Sequence, residues 1–310
     1  MSQRSKRFAC LLLICGVGLA VALTSLAQPA HKLDAAKIGA AAGAKPTIAK
    51  DGVVRIAWSR TDVPVTIDGM AFKPAAGLGT WAAFTAGPHG AMVMGDTVLF
   101  QDEVTPAMDA AFAAGLEVTG LHNHFFFDEP KVYFMHIGGQ GEPEQLAKAV
   151  KGVWDAVKKV RADQTTPASQ FAGKTPAPGK IDAAAIAKIL GQKSETNDDV
   201  VKVTIGRNGA MHNVKVGASM GLTTWAAFTG TDELAAVDGD FIMTASEVQP
   251  VLRVLRKANI HVVALHNHMF GEQPAFYFVH FWAKGSTQDL ANGLKTALNA
   301  QKNVPTQGSH

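Results

Sequence analysis

The spacing of apolar and polar positions along this chain changes period several times, and it runs through the same series of changes twice. Val53 to Trp58 alternates as a strand with one buried face does, Val65 to Phe72 reads as a second strand, and Trp81 to Thr85 and Ala91 to Phe100 add two more. Gly95-Asp96, inside the last of these, reads as a tight turn or bulge. The period then lengthens: Pro106 to Gly115 carries apolar residues at helical spacing, with proline in its first turn and glycine at its end. Val118 to Phe126 and Lys131 to Ile137 return to strand spacing around a turn at Asp128-Glu129-Pro130, and Glu142 to Val160 closes the unit as a helix. Ahead of all this, Asp34 is placed to cap a short Ala-rich helix over Ala35 to Ala42.

From the second strand onward these features recur at an offset of 144 positions, which lays Trp81-Ala82-Ala83-Phe84-Thr85 on Trp225-Ala226-Ala227-Phe228-Thr229 and Gly95-Asp96 on Gly239-Asp240, while the opening helix and first strand have their counterparts at Asp182 to Gly191 and Val201 to Ile205. The chain is a tandem duplication, so a site is expected twice or on a pseudo-twofold axis between the copies. The expected organisation is a first repeat over 28–163, a linker over 164–180 with three prolines and no apolar period, a second repeat over 181–302, and a disordered tail over 303–310. Each repeat is expected to be α+β, a mostly antiparallel sheet with flanking helices.

The N-terminus changes the picture of where this protein works. Arg4, Lys6 and Arg7, the apolar run Phe8 to Leu23, and Ser25-Leu26-Ala27 form a secretory signal over 1–27 with cleavage expected before Gln28. The run is shorter than the roughly 20 residues that span hydrocarbon, so no stable membrane insertion is expected after cleavage, and the mature protein is expected to be periplasmic or secreted. Cys10 and Cys15 both fall inside that signal, which leaves the mature chain without disulfides, thiol nucleophiles or thiolate ligands. Cleavage also removes three basic residues and no acidic ones, taking the formal charge from +3 to neutral. A neutral surface gives nucleic acid no electrostatic footing.

Candidate chemistry gathers in one duplicated constellation. Leu121-His122-Asn123-His124, with His136 twelve residues after His124, recurs as Leu265-His266-Asn267-His268 with His280. Alternate residues of a strand share a face, so His122 and His124 are expected to project together with Asn123 turned away. The hairpin register decides whether His136 joins them: a five-residue loop from Phe127 to Lys131 sets it directly opposite His122, while a four-residue loop turns it to the other face. Three neutral imidazoles suit a zinc ion with an open position, and also copper, nickel or iron. Glu103 and Glu247 are the candidate carboxylates, as ligand or base, at a strand end in both copies. The competing reading makes them helix caps, which Thr244-Ala245-Ser246-Glu247 fits, although Phe100 replaces Thr244 in the first copy. The bland reading of the six histidines is a buried polar network.

Several single residues carry less. His89 aligns with Glu233 and Asp68 with His212, as further ligands or as surface loop residues, and His261 is expected to face solvent. Met92, Met94 and Met135 read as core or as a hint of copper. Trp81 and Trp225 read as packing anchors or as the lining of a cleft. The chain carries no GxSxG elbow, Walker loop or dinucleotide fingerprint.

The Trp-Ala-Ala-Phe segments, Asp102-Glu103-Val104, Leu121 to Phe125, Phe134 to Gly139 and Asp238 to Phe241 resemble the LppY/LpqO family, a bacterial envelope family built on a domain of unknown function. The resemblance implies an exported protein and brings no established activity. Cys15 follows Leu12-Leu13-Ile14 without the small residue of a lipobox, so a soluble mature form is expected. A His-x-His pair with a later histidine in a two-lobed chain is also similar to the zinc site of acetolactate decarboxylase. The expected function is an exported protein with a divalent-metal site in each half, as a metal-dependent hydrolase or lyase acting on a small carbonyl substrate. The alternative is a metal- or ligand-binding protein without catalysis. An unknown small molecule is the one partner implied.

Overall fold

The structure, a computed structural model, describes residues 32–88 and 90–304. The expected signal over 1–27, residue 89 and the last residues of the expected tail lie outside the described residues. The first repeat runs α1 (Ala35–Ala42), β1 (Thr47–Ile48), β2 (Val54–Ser59), β3 (Val65–Ile67), β4 (Met70–Phe72), β5 (Gly79–Gly87) and β6 (Gly90–Phe100). It continues with α2 (Gln101–Ala113), β7 (Glu117–His122), β8 (Asp128–Glu129), β9 (Val132–Gly141) and α3 (Pro143–Asp163). The second repeats that course as α4 (Ala183–Leu190), β10 (Ser194–Asn197), β11 (Val200–Gly206), β12 (Gly209–Met211), β13 (Val214–Val216), β14 (Thr223–Gly230) and β15 (Ala235–Thr244). It ends with α5 (Ala245–Lys257), β16 (His261–His266), β17 (Phe276–Gly285) and α6 (Thr287–Lys302).

Local chemistry accounts for the boundaries. Asp34 accepts a hydrogen bond from Lys37 N and Asp182 accepts from Ala184 N and Ala185 N, while Gly43 and Gly191 close both short helices in the left-handed region. The single strand expected over Val65 to Phe72 is instead a hairpin: Asp68 and Gly69 both take positive φ, the requirement of a two-residue primed turn. Its twin turns at His212 and Asn213, so Asp68 and His212 are exposed turn residues. The helix expected from Pro106 starts earlier, at Gln101, and Pro106 lies inside it. Gly95-Asp96 makes no turn, and β6 runs through it without a break. A Cβ at Gly95 would lie 3.0 Å from the Trp81 carbonyl oxygen and 3.0 Å from the Ile137 side chain, so the glycine serves close packing.

Twelve of these strands, six from each repeat, form one antiparallel sheet ordered β1-β2-β5-β6-β9-β7-β16-β17-β15-β14-β11-β10. The halves join at its centre, where Leu121 pairs with Leu265 across β7 and β16. The six α-helices of the described residues pack on one face: Ile38, Val104, Val150, Ile186, Leu252 and Leu294 meet Val93, Leu121, Val237 and Leu265 in one core. The other face carries two small flaps, β4-β3-β8 over Val98, Phe100 and Phe134, and β12-β13 near Ile242, Phe276 and Phe278. Among the described residues no helix is long and apolar enough to cross a membrane.

Polar contacts lock the seam. Gln249 bonds both the N–H and the carbonyl of Val118, Arg253 donates to the carbonyls of Phe112 and Leu116, and Arg256 makes a two-bond pair with Asp109. Farther out, each repeat is tied by a guanidinium. Fully buried Arg60 donates to both oxygens of fully buried Glu103 at 2.7 and 2.9 Å, and Arg161 adds a third contact at 2.7 Å. In the second repeat Arg207, 28% exposed, pairs with Glu247.

Glu103→Ala removes a buried carboxylate shared by two guanidiniums, leaving Arg60 its pair with Asp62 and Arg161 its pair with Asp102, and is expected to cost about 3 kcal/mol of stability, the low end for breaking a buried pair. Glu247→Ala should cost clearly less, because Arg207 retains water contact. Chemical denaturation of the two variants checks this, and equal midpoints would rule out the burial argument.

Candidate functional site

The histidines stand on the open face, at the inner ends of the two central hairpins. In the first repeat Gly120 pairs with His136 and His122 with Phe134, and a bulge between Val118 and Gly120 shifts the register. His136 therefore does not sit directly opposite His122 as the five-residue loop predicts. It lies one diagonal step away on the same face, and the chain between the strands spans 123–131. The second repeat copies this, with Ala264 opposite His280, His266 opposite Phe278 and a bulge between Val262 and Ala264. The outcome is a direct approach of His122 Nε2 to His136 Nε2 at 3.0 Å.

His124 and His268 lie just beyond the strand ends, so strand alternation does not place them. Aromatic stacking does: His124 lies flat on Phe134 with ring centroids 3.3 Å apart, and His268 on Phe278 at 3.5 Å. Asn123 and Asn267, also beyond the strand ends, donate to the carbonyls of Phe125 and Met269, which shapes the chain where it leaves the strand. In the second repeat the three rings come closest. One ligand nitrogen from each of His266, His268 and His280 fits within 4.8 Å of the others. His280 Nδ1 lies 3.2 Å from the Gly239 carbonyl oxygen, which only accepts, so Nδ1 carries the proton and Nε2 presents its lone pair.

The carboxylates at this site are Asp96 and Asp240, not Glu103 and Glu247. Asp96 on β6 pairs with His136 and Asp240 on β15 pairs with His280, which puts each on the histidine face. His268 Nε2 is 3.6 Å from Asp240 Oδ2. Both aspartates are nearly buried, at 8% and 3% exposure, and Oδ1 of each lacks a hydrogen-bond partner. Glu103 and Glu247 instead accept from the N–H of Phe100 and Thr244 and hold the arginines, so they are helix caps and ion-pair partners in both copies. The Phe100 position does not weaken the cap, because the glutamate bonds the backbone N–H and needs no hydroxyl from that residue. The available signal for the aspartates was an ionisable residue kept in both copies in the middle of an apolar strand.

Burial shapes the acid–base character of the site. It raises the proton affinity of Asp96 and Asp240, and the neighbouring imidazoles pull it back. It lowers that of His124 and His268, and it takes His266 down to about 4 with help from His268 and His280.

The lesser candidates fall elsewhere. His89 lies outside the described residues. Met135 is core, whereas Met92 and Met94 stand exposed on the open face, 58% in the case of Met94. His261 does not face solvent freely: it lies half-buried against Phe171 with Nδ1 2.8 Å from Thr105 Oγ1. Trp81 pairs with Asp96 and Trp225 with Asp240, each half-buried on the open face under a cation, Arg55 or Lys202. Beside the histidines a cleft of about 430 Å³ is bounded by His122, His136, His266, Met269, Phe270 and Tyr277.

A family model described as Domain of Unknown Function (DUF1259) matches residues 36–156 and again residues 184–300. The chain belongs to that family. The two matches follow the two repeats, and the histidine constellation falls inside both. No curated protein matches the chain. Among solved structures, the trimeric microcompartment shell protein PduB is similar over 82% of this chain and 89% of its own, at 10% identity and a TM-score of 0.22. The double-ringed shell protein MSM0271 covers 71% and 86% at 12% identity and 0.19, and EtuB from Clostridium kluyveri covers 82% and 89% at 11% and 0.19. Scores that low carry no argument about this chain.

Without added cation, His266 takes a proton more readily in the unfolded chain than in the folded one. Its contribution to stability is then complete above pH 6.5 and lost as the pH falls through about 4. Asp240, raised by burial, works in the opposite sense at acid pH. The melting temperature should therefore fall between pH 6.5 and 4 less steeply in His266→Asn than in the parent, and parallel curves would remove His266 from the account.

Proposed function

We propose that this is an exported protein, of the LppY/LpqO type, that holds a divalent metal ion in each repeat. Export rests on the basic and apolar leader, and the finer family reading rests on the residues that resemble it. The observation that carries the metal reading is the convergence of His266, His268 and His280 within 4.8 Å with Asp240 beside them. The first repeat would use His122, His124, His136 and Asp96. Three imidazoles with one carboxylate suit zinc best, with copper, nickel and iron as competitors. The unpartnered Oδ1 atoms of Asp96 and Asp240 fit a cation, since a buried carboxylate oxygen is costly without one or a hydrogen-bond donor.

The chemistry in reach is hydrolysis or lyase cleavage of a small carbonyl compound. A zinc ion in such a setting supplies Lewis acidity toward a carbonyl oxygen. The chain supplies the rest. The Gly239 carbonyl fixes the His280 tautomer, stacking on Phe278 fixes the His268 ring, and Asp96 or Asp240, with raised proton affinity, takes and returns a proton. A second reading, a binding protein without metal, is favoured by the imidazole pairs themselves. His122 with His136 at 3.0 Å, and His266 with His268 at 3.1 Å, satisfy one another directly.

Metal analysis separates the two. The mature protein purified without a polyhistidine tag should carry about two equivalents of zinc per chain when loaded, as two open His-rich sites require. The His122→Ala, His266→Ala double variant should carry none, and Asp240→Asn should weaken the second site at least tenfold, at the low end of what supporting carboxylates contribute. A parent protein that takes up no zinc, copper, nickel or iron would leave the histidines as a polar network.

A further inference from the structure

The chain that leaves each histidine pair carries a buried carboxylate, and the two copies neutralise it differently. In the first repeat Asp128, 3% exposed, accepts from the Val132 N–H at 2.7 Å and from Lys131 Nζ at 3.0 Å. Its equivalent in the second repeat is Glu272, 7% exposed, which keeps the backbone bond and accepts from the Phe276 N–H at 2.8 Å. The counter-ion is missing there: Ala275 stands at the position of Lys131, and among the described residues no lysine, arginine or histidine forms an ion pair with Glu272. A carboxylate so placed costs free energy unless a donor or an opposite charge reaches it.

Glu272 is within reach of a ligand. It lines the cleft of about 430 Å³ beside the histidines, a volume that admits a small molecule, and it is the one carboxylate among the lining residues, which include no lysine or arginine. Ala275 lines the same cleft, so the position that carries the lysine in the first repeat borders open space in the second. Phe270, 86% exposed, and Tyr277, 37% exposed, border it with Met269. Aromatic faces attract an organic cation, and all three side chains shelter an apolar body. We propose that the cleft binds a small organic amine as its ammonium ion. The ammonium donates to Glu272 as Lys131 donates to Asp128, and the carbon body lies against Phe270, Met269 and Tyr277. Lys131 is itself a primary ammonium on an alkyl stem, so the first repeat makes within its own chain the contact that the second leaves to a ligand. No histidine is required, and the inference stands apart from the metal reading.

The test is an NMR titration of the whole mature protein near neutral pH with methylammonium, butylammonium and phenethylammonium, and with butanol and phenethyl alcohol as their uncharged counterparts. Butylammonium should bind more tightly than methylammonium by about fourfold per methylene that the cleft buries. Each alcohol should bind at least about tenfold more weakly than its ammonium, the worth of one charge-assisted hydrogen bond. Glu272→Gln keeps an acceptor for the Phe276 N–H and should lose about tenfold or more for the ammonium ions. Ala275→Lys rebuilds the pair of the first repeat and should lose binding by the same margin. It leaves Glu272 in place, so it decides the matter if Glu272→Gln fails to fold. Equal affinity for ammonium and alcohol, no saturable binding of any ammonium ion, or parent-like binding by either folded variant would overturn the proposal. Neither variant alters a histidine, so zinc uptake measured on both keeps the fate of the metal reading separate.

Discussion

The pairing of Leu121 with Leu265 is the contact on which the rest of this architecture depends. Each repeat alone would end in an open strand edge, β7 or β16, with unpaired backbone donors and acceptors inviting any passing strand. Joining the two edges antiparallel removes both and leaves short strands, β1 and β10, at the outer margins. It also fixes the relation between copies. Two antiparallel neighbours in a sheet are related by a twofold axis normal to it, so equivalent faces fall on the same side. That is why six helices share one core below the sheet and both histidine clusters share the face above it. The contacts that lock the seam do not obey the symmetry: Gln249, Arg253 and Arg256 have Thr105, Asp109 and Phe112 as counterparts. The copies differ where they touch, as two surfaces that must recognise each other once, in one orientation, are free to do.

Much of this was legible in the sequence because it follows from period and repetition. The duplication, the mixed helix and sheet, and the opening and closing helices all rest on spacing that two copies display independently. Register was not legible. The bulge between Val118 and Gly120 depends on how β7 meets β9 and β16 at once, and no local pattern encodes it. His124 reached the expected side by stacking on Phe134, a contact between residues that the strand argument never related. The turn at Asp68-Gly69 is hidden in the sequence because Val65-Thr66-Ile67 before it and Met70-Ala71-Phe72 after it read as one longer strand.

The misplacement of the carboxylates teaches more, because both pairs recur in both copies. Repetition says that a residue matters to the architecture; it does not say to what. Glu103 at the third position of a helix lies within reach of the preceding backbone N–H whatever side chain precedes it, and Arg60 arrives from the end of β2 to neutralise it. Asp96 sits in mid-strand beside a glycine that can hold no side chain, and Gly-Asp reads as a turn until the strand is seen to continue.

The contrast between these two carboxylates bears on what the site is for. A buried acid beside a guanidinium has a full complement of donors and a fixed opposite charge, and nothing more is required of it. Among the described residues, Asp96 and Asp240 have no guanidinium beside them: Oδ1 of each has no partner among the protein's groups, and burial pushes both toward their protonated forms. Such an arrangement is poor structural chemistry, since an apolar residue in the same strand would cost less. Under the metal reading proposed above, a cation between carboxylate and imidazole would replace imidazole-to-imidazole contacts with ligand bonds. The same arrangement stands in both repeats, beside stacked rings held by Phe134 and Phe278 and, in the second repeat, a tautomer fixed by a backbone carbonyl. That places the unfavourable energy where a metal would relieve it.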